Sequence, residues 1–526
     1  MKNKRCACNG LNNLKNVNKL ISAQKTDEAL RVLEKLLLKH PKSSKVKYLI
    51  AKCYTKLENF EKALLILNKL YTQQISPLQA VIHTLRWEIS LKTALFDIRA
   101  QELQYMKKCL NHGMEIHPFW ALCEDFTNKD LFVNMARFHK RKKAFISHDK
   151  HYNFTDKNWQ HDKINIAFIS PDFKVHPISY VISGLFENLD SNIFNVYLYD
   201  TDPNPYSSTE RKKRIQTANV NYKRLWDILP SKMADIVFHD HIDILVDLSG
   251  LTKRTQLFVL TYRPAPIQVT FLGFPGTVGK IPGLDYVFCD KLILPPTEQK
   301  YYYEKFAYLP RYFPYDATNK IDLKPINKKD YGISEKSIVL ACFCNNFKVT
   351  QAYLDVWLRV MKKVPDTVLW LYAKTRLFQD NILKYAASKG ISRNRLIFSP
   401  YCTPYSKYLA QYKCVDLFLD TQYYNGHTTV ADALFAGCPV VTCPGKTFAS
   451  RVGGSILSYL GMDELICKNI TAYEKKILEL AENPQKLHKV RMRLQKQKNV
   501  SDFFNNKKYA ENFEKTCCKL VKARKG

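Results

Sequence analysis

Short apolar runs, each long enough for one β-strand, recur along the 526-residue chain in two series, and they constrain the fold more than any other feature. Segments of helical length separate neighbouring runs. The first series occupies residues 164–170, 194–200 and 242–248, and the second occupies residues 338–343, 367–372, 396–399 and 415–420. Continuous apolar strands that alternate with helices indicate parallel sheets in an α/β protein. The sequence therefore predicts two doubly wound domains, with a ligand cleft at the carboxyl ends of their strands.

The segment after the last of these runs reads NGHTTVADALFAG over residues 425–437 and predicts a turn followed by a helix. Gly426 permits the turn, and Thr428 and Thr429 lie where the helix begins. A helix N-terminus offers unpaired N–H groups and the positive end of the helix dipole, which suit a phosphate group. The segment is therefore a candidate phosphate site.

Two further side chains of this segment extend the candidate to a nucleotide. The His427 imidazole adds a hydrogen-bond donor beside the helix start, and Asp432 lies one turn beyond Thr428 on the same face. A carboxylate near a phosphate site commonly binds a ribose hydroxyl. An ordinary capped helix is the alternative interpretation of the same residues.

Loops that follow other predicted strands contribute further candidates. His176 follows the first strand of the first series, where it can exchange a proton, bind a sugar hydroxyl or simply be solvated. Gly276, between Pro275 and Thr277, permits close backbone approach to a substrate, although a rigid turn explains the same residues. Lys348 follows the first strand of the second series and can neutralise a departing diphosphate.

The first seventy residues contain an internal repeat with a period of 34 residues. Residues 27–36 and 61–70 align, with Ala29 matched to Ala63, and apolar residues at helical spacing lie between them. This period and its helix–turn–helix layout are typical of tetratricopeptide repeats, which bind extended peptides on a concave face. The repeat predicts a protein-binding region, and a generic helical hairpin is the alternative.

Composition narrows the class of partner. The net charge is +33, from 81 Lys and Arg against 48 Asp and Glu, but the basic residues are spread along the whole chain. A dedicated nucleic-acid surface gathers its basic residues into one patch, so we expect acidic protein acceptors or an anionic donor instead. No apolar run reaches the ~20 residues that cross a membrane, and no secretion signal is visible.

Neither the cysteines nor the acidic turns predict a metal site. Fifteen cysteines are scattered without the spacing of zinc ligands, which indicates free thiols in a reducing cytoplasm. Asp200 and Asp202 resemble the metal-binding DxD motif of another class of sugar transferases, but any Asp-rich turn generates that pattern. We therefore assign no metal.

Taken together, these segments resemble the nucleocytoplasmic protein O-linked N-acetylglucosamine transferases and their Spindly-type relatives. The resemblance runs from about residue 164 to about residue 469. The matching motifs are SPDFxxHP at 170–177, DILVDLSG at 243–250, RPAPIQ at 263–268, GFPGT at 273–277, RLIFSP at 395–400, NGHTT at 425–429 and PGxTxASRV at 444–452. Each motif is short, and their order and spacing make the resemblance specific.

The resemblance implies a glycosyltransferase B fold, in which two Rossmann-like domains follow a helical, tetratricopeptide-like region. We expect that helical region at residues 1–157, the first Rossmann-like domain at 158–325, and the nucleotide-sugar-binding domain with its C-terminal helices at 326–526. The resemblance also implies a UDP-sugar as co-substrate, no cofactor or metal, and protein acceptors held by the helical region. It leaves the oligomeric state open.

The resemblance further assigns roles at the site. The diphosphate would rest on Thr428 and Thr429, with Lys348 at the distal phosphate. Asp432 would hold the ribose, and His176 would lie near the sugar and the acceptor. Transfer would invert the sugar carbon, because a Ser or Thr hydroxyl attacks opposite the departing nucleotide.

Two departures from the family pattern concern the donor. Tyr424 stands directly before Asn425, at a position that borders the donor sugar and is often small in the N-acetylglucosamine enzymes. The Spindly-type fucosyl relatives resemble this chain there but replace the histidine of NGHTT with threonine, whereas His427 is retained here. Residues 401–407 lack the basic pair that borders the nucleotide, and Lys407 is the expected substitute.

We therefore expect an inverting protein O-glycosyltransferase that uses UDP-N-acetylglucosamine. A protein O-fucosyltransferase that uses GDP-fucose and a protein N- or O-glucosyltransferase are the alternative enzymes. A repeat-based binding scaffold is the alternative from another class of protein.

Overall fold

The computed structural model describes residues 14, 16–21, 25–141, 152, 154, 161–204, 210–399 and 402–525. These residues divide into two units. The described part of Met1–His117 and Thr375–Ile382 form the first unit, and the described parts of Pro118–Lys374 and Leu383–Gly526 form the second. The sequence predicts a helical region over residues 1–157, whereas the second unit already begins at Pro118.

The first unit is built from consecutive helices that pack in sequence. They are α1 (Thr26–Lys39), α2 (Ser44–Lys56), α3 (Phe60–Asn68), α4 (Pro77–Thr93) and α5 (Phe96–Asn111). The repeated alanines Ala29 and Ala63 are both fully buried, each in its own apolar cluster. Alanine suits these positions because its small side chain lets neighbouring helices approach closely.

A buried polar network joins three helices of this unit. The Glu102 carboxylate of α5 contacts the His83 imidazole and accepts a hydrogen bond from Arg86 Nε at 2.5 Å, both on α4. Arg86 also donates to Asn68 at the end of α3. All three side chains are almost fully buried, so the charges of Arg86 and Glu102 depend on each other for compensation and the His83 imidazole adds a polar contact.

The second unit contains two parallel sheets. The first sheet has seven strands in the order β3-β2-β1-β4-β5-β6-β7. Its strands are β1 (Ile164–Ser170), β2 (Phe194–Asp200), β3 (Asn221–Arg224), β4 (Ile244–Asp247), β5 (Ile267–Thr270), β6 (Tyr286–Cys289) and β7 (Lys305–Tyr308). The associated helices are α6 (Pro118–Ala121), α7 (Asn128–Arg141), α8 (Pro177–Asn188), α9 (Glu210–Thr217), α10 (Pro230–His239) and α11 (Leu257–Leu260).

The second sheet has five strands in the order β10-β9-β8-β11-β12, also all parallel. Its strands are β8 (Ile338–Cys342), β9 (Thr367–Tyr372), β10 (Leu396–Ser399), β11 (Leu417–Leu419) and β12 (Val440–Val441). The associated helices are α12 (Gln351–Lys363), α13 (Arg376–Ser388), α14 (Tyr405–Gln411) and α15 (His427–Phe435), and residues 376–382 of α13 belong to the first unit. In both sheets the central strands are buried on both faces, as their continuous apolar sequences require.

The C-terminal helices return to both sheets. They are α16 (Val452–Tyr459), α17 (Ile470–Glu482), α18 (Pro484–Val500) and α19 (Asn506–Lys525). Arg491 of α18 donates to the main-chain oxygen of Val415, just before β11. Phe513 of α19 packs on the first sheet, with its ring centroid 5.1 Å from that of Phe288. The last helix of the chain therefore completes the core of the first sheet.

The connection between the sheets is buried at residues 312–316. Tyr312, Phe313, Tyr315 and Asp316 are all at most 4% exposed. The Asp316 carboxylate accepts hydrogen bonds from Arg214 at 2.6 Å and from other donors, so its charge is compensated inside the protein. No described helix is both long enough and apolar enough to cross a membrane.

Candidate active site

The loop between β11 and α15 is ordered by one buried carboxylate. Asp420 follows β11, and its Oδ1 accepts hydrogen bonds from the main-chain N–H groups of Thr421 at 2.8 Å and Gly426 at 2.6 Å. Its Oδ2 accepts from the Thr442 hydroxyl at 2.6 Å. Burial raises the pKa of Asp420, and these donors together with Lys348 oppose that rise. Asp420 thus fixes both ends of the loop, a role that no sequence motif indicated.

The start of α15 is open to a ligand. Gly426 precedes the helix, and no side chain caps the first N–H groups. A Cβ atom at Gly426 would lie 2.3 Å from Thr429 Oγ1 and 2.7 Å from Cys344 Sγ, so glycine is required by space. Thr428 and Thr429 in the first turn are half-buried. Uncapped N–H groups beside two hydroxyls form an anion-binding arrangement.

His427 is neutral and its donor is already engaged. Its Nε2 lies 3.0 Å from the main-chain oxygen of Ala449, which only accepts hydrogen bonds, so the proton is on Nε2. Burial and the nearby Lys348 charge lower the pKa of His427 to about 3. The sequence predicted a further donor for the phosphate here. The structure instead leaves Nδ1 for a ligand, and in this tautomer Nδ1 accepts a hydrogen bond and does not donate one.

Lys348 reaches the same loop from the second sheet's first strand. It ends a short turn after β8, and its Nζ donates to the main-chain oxygen of Asn425 at 2.7 Å. The Nζ also lies 3.8 Å from the centroid of the Tyr424 ring, within the range of a cation–π interaction. Burial lowers the pKa of Lys348. The structure therefore brings Lys348 to the residues directly before α15.

Tyr424 belongs to an aromatic wall beside Lys348 and His427. Its ring centroid lies 5.0 Å from that of His427, 6.0 Å from Phe119 and 6.2 Å from Phe347. Tyr424 is 8% exposed. Phe119 comes from α6, far away in sequence, and no sequence motif marked it.

Asp432 is surrounded by tyrosines. Its Oδ1 accepts hydrogen bonds from the Tyr405 hydroxyl at 2.5 Å and the Tyr315 hydroxyl at 3.0 Å. Burial raises the pKa of Asp432 to about 7, and the two hydroxyls oppose that rise. Lys407, the expected basic substitute, is exposed two residues further along α14. Tyr405 is the residue of α14 that reaches Asp432, and no sequence motif marked it.

His176 caps α8 at the carboxyl end of β1. Its Nδ1 accepts a hydrogen bond from the main-chain N–H of Ile178 at 3.3 Å, so the neutral ring carries its proton on Nε2. Asp172 Oδ2 lies 3.7 Å from the same Nδ1. Partial burial lowers the pKa of His176, although 39% of the side chain is exposed. His176 can therefore present Nε2–H to a substrate oxygen.

The loop of Pro275, Gly276 and Thr277 is buried instead of exposed to a substrate. The Thr277 hydroxyl donates to Glu304 Oε2 at 2.7 Å, and burial raises the pKa of Glu304 to about 7. Gly276 and Thr277 line a cavity of about 10 Å³. The side chains of this loop therefore contribute to internal packing, and the close approach of its backbone to a substrate stays a prediction.

The acidic turn after β2 is engaged by lysines. Asp200 lies 2.7 Å from Lys212 Nζ, and Asp202 accepts from Lys174 Nζ at 2.9 Å. Within the described ranges, no group of three or more His, Cys, Asp and Glu side chains is placed to hold a metal ion.

Comparison with known proteins identifies the family. Residues 116–321 and 320–513 match glycosyl transferase family 41, and residues 20–72 match a tetratricopeptide repeat. The chain therefore belongs to glycosyl transferase family 41, which confirms the resemblance found in the sequence.

A solved structure supports the fold. A mutant O-GlcNAc transferase from Thermobaculum terrenum superposes with a TM-score of 0.77 at 21% sequence identity, over 98% of each chain. Two parallel sheets after a helical repeat region are thus confirmed as a glycosyltransferase B fold.

Curated plant proteins are similar over the same region. The probable UDP-N-acetylglucosamine–peptide N-acetylglucosaminyltransferase SEC of Arabidopsis thaliana is 31% identical over 365 residues, which are 68% of this chain and 37% of the plant protein. The corresponding SPINDLY protein of Arabidopsis thaliana is 30% identical over 355 residues, 67% of this chain and 38% of its own length. The chain thus spans less than two fifths of these relatives.

Proposed function

We propose that this chain is an inverting protein O-glycosyltransferase that moves N-acetylglucosamine from UDP-N-acetylglucosamine to Ser or Thr hydroxyls. One observation carries the proposal: Lys348 Nζ lies on the loop that leads directly into the uncapped N-terminus of α15. A cation and a set of free N–H groups at one place suit a diphosphate leaving group. The family and the names of the plant relatives support the choice of reaction.

The diphosphate would bind at the first turn of α15. Thr428 and Thr429 would donate from their hydroxyl and main-chain N–H groups. Lys348 would exchange the Asn425 oxygen for a distal phosphate oxygen, which replaces a neutral acceptor with a charged one. As the bond between the sugar carbon and the phosphate oxygen breaks, its electron pair stays on the nucleotide. Lys348 and the helix dipole would stabilise that charge, and the proposal needs no metal.

The acceptor hydroxyl would attack the sugar carbon from the opposite face and lose its proton. His176 is the candidate base, but in the observed tautomer its Nε2 carries a proton. Moving that proton to Nδ1 would free Nε2 as an acceptor and direct Nδ1–H towards Asp172, 3.7 Å away. A carboxylate placed to stabilise the other tautomer is typical of an acid–base histidine.

Tyr424 favours a second candidate within the same class. Its ring lies among Phe119, Phe347 and His427, and it leaves less room beside Lys348 than a small residue does. A sugar without the 2-acetamido group, such as glucose from UDP-glucose or fucose from GDP-fucose, would need less space there.

The helical unit would hold the protein acceptor, since tetratricopeptide repeats bind extended peptides. The protein would act in a reducing compartment such as the cytoplasm, because its cysteines are scattered along the sequence without a regular spacing.

The proposal is tested by nucleotide release from the purified chain, offered UDP-N-acetylglucosamine, UDP-glucose and GDP-fucose in separate reactions. Release from UDP-N-acetylglucosamine that is lost in Lys348→Ala supports the first candidate. Release from UDP-glucose alone or GDP-fucose alone supports the second candidate, a transferase for a sugar without the acetamido group. Failure to bind any of the three donors in a titration contradicts the enzyme and favours the scaffold.

A further inference from the structure

Asp432, the residue expected to hold the ribose, is enclosed by protein. Both the Tyr405 and Tyr315 hydroxyls donate to its Oδ1, at 2.5 Å and 3.0 Å, and the residue is only 1% exposed. Its Oδ2 accepts from neither tyrosine, but because so little of Asp432 is exposed, a ribose gains room beside the carboxylate when one of the tyrosines withdraws. Tyr315 lies in the buried connection between the sheets, whereas Tyr405 is the first residue of the short helix α14.

The Tyr405 ring spans the two sheet domains. It stacks on Tyr180 of α8 with a centroid distance of 3.7 Å and an interplanar angle of 16°. The Arg211 guanidinium lies over the same Tyr180 ring at 4.7 Å and is held by Asp316 at 2.9 Å. Because the Tyr405 ring covers one face of the Tyr180 ring, the Arg211 guanidinium lies against the opposite face.

We propose that Tyr405 occupies the nucleoside site of the empty enzyme. On binding, the nucleotide displaces the Tyr405 hydroxyl from Asp432, the ribose takes over that hydrogen bond, and the base stacks on Tyr180 in place of the Tyr405 ring. This inference rests on the proposed function, because it requires a nucleotide donor whose diphosphate lies at α15.

The exchange replaces each lost interaction with one of the same kind. A hydroxyl leaves the Asp432 carboxylate and another hydroxyl arrives. An aromatic ring leaves Tyr180 and a base with a similar stacking distance arrives, while Arg211 remains behind the ring. The displaced state costs free energy in the absence of ligand, so Tyr405 lowers the apparent affinity for the nucleotide.

The first test separates the nucleoside from the phosphate subsite. UDP and inorganic pyrophosphate are titrated by calorimetry into the wild-type chain and into Tyr405→Phe, which keeps the ring but loses the hydroxyl. We expect Tyr405→Phe to bind UDP about threefold to tenfold more tightly. In this variant no hydrogen bond from residue 405 to Asp432 has to be broken before UDP can bind. Pyrophosphate affinity should not change. Tyr408→Phe on the same helix, whose hydroxyl pairs with Tyr412 at 2.8 Å, is the matched control and should match the wild type.

The second test concerns the base. The ratio of UDP affinity to ribose 5-diphosphate affinity cancels the cost of moving Tyr405, since both ligands need the ribose site. We expect Tyr180→Leu to reduce this ratio about tenfold, because a base–aromatic stack is lost. A ratio that equals the wild-type value would contradict stacking on Tyr180.

The outcomes distinguish this inference from the proposed function. Unchanged or weaker UDP binding by Tyr405→Phe, with normal pyrophosphate binding, overturns the displacement of Tyr405 and leaves the donor site intact. Absence of both UDP and pyrophosphate binding from the wild type and every variant contradicts the proposed function and this inference together.

Discussion

Lys348 Nζ donates to the main-chain oxygen of Asn425 at 2.7 Å, which ties the end of β8 to the loop before α15. The contact places a half-buried cation next to the first turn of a helix whose N–H groups have no side-chain cap. The lysine is thus held by a neutral acceptor that a phosphate oxygen can replace.

Removing this cation should abolish turnover without unfolding the protein. We expect Lys348→Ala to lower the rate of nucleotide release by about 10²–10³-fold, because an electrostatic contact to the leaving group is lost. Thermal stability should be kept, since burial already disfavours the charged amine. Lys413→Ala is the control, because Lys413 is an exposed lysine of the same unit whose Nζ donates to the main-chain oxygen of Asp322. An unchanged rate in Lys348→Ala would remove Lys348 from the site.

His427 should remain neutral at every pH at which the protein is folded and active. Its pKa is lowered to about 3, so the folded state binds fewer protons than the unfolded state below about pH 6.5. The contribution of His427 to stability is therefore complete above that pH and is lost as the pH falls towards 3. Imidazole chemical shifts of selectively labelled protein, recorded from pH 5 to 8, should show no titration of the resonance that His427→Gln removes. A midpoint near 6.5 for that resonance would disprove its burial.

Asp432→Asn should stabilise the protein and weaken nucleotide binding. Burial raises the pKa of Asp432 to about 7, so the carboxyl costs stability progressively as the pH rises from about 4 to about 7. The melting temperature of the variant relative to wild type should therefore be higher at pH 8 than at pH 5. Affinity for UDP should fall in the same variant, because an amide accepts a ribose hydroxyl less strongly than a carboxylate does. If the melting temperatures of the variant and the wild type differ by the same amount at pH 5 and at pH 8, the raised pKa of Asp432 is contradicted.

Tyr424 should set the preference among donor sugars. We expect Tyr424→Ala to raise kcat/KM for UDP-N-acetylglucosamine relative to UDP-glucose by about tenfold, because removing the ring opens space for the acetamido group. Tyr424→Phe keeps the ring volume and should leave the ratio at its wild-type value. Identical ratios in all three proteins would show that the sugar does not lie beside Tyr424.

The helical unit should depend on its buried carboxylate. Glu102→Gln leaves the buried Arg86 without a charged partner and should lower the free energy of unfolding by about 3 kcal/mol. Glu88→Gln removes a carboxylate that pairs with Lys92 nearer the surface, and it should cost about 0.5 kcal/mol. Hydrogen exchange of α4 and α5 in the full chain measures both effects. Equal protection in the two variants would mean that the network adds no stability.

Much of the architecture follows from the sequence because it depends on neighbouring residues. Apolar runs predict both series of parallel strands, and the 34-residue period predicts the packed helices around Ala29 and Ala63. The start of α15 is likewise encoded locally, since Gly426 and the threonines after it specify a turn and a helix N-terminus. Side-chain periodicity and backbone preference act over a few residues, so a sequence displays them directly.

Tertiary structure alone decided which side chains meet. Asp432 accepts a hydrogen bond from Tyr405, His427 donates to Ala449, and Phe119 reaches Tyr424 from another part of the chain. These contacts join residues 22 or more positions apart, and they depend on how the sheets and loops pack, which no local pattern specifies. The buried path of residues 312–316 has the same origin, because its polar groups are compensated only by partners such as Arg214 that folding brings near.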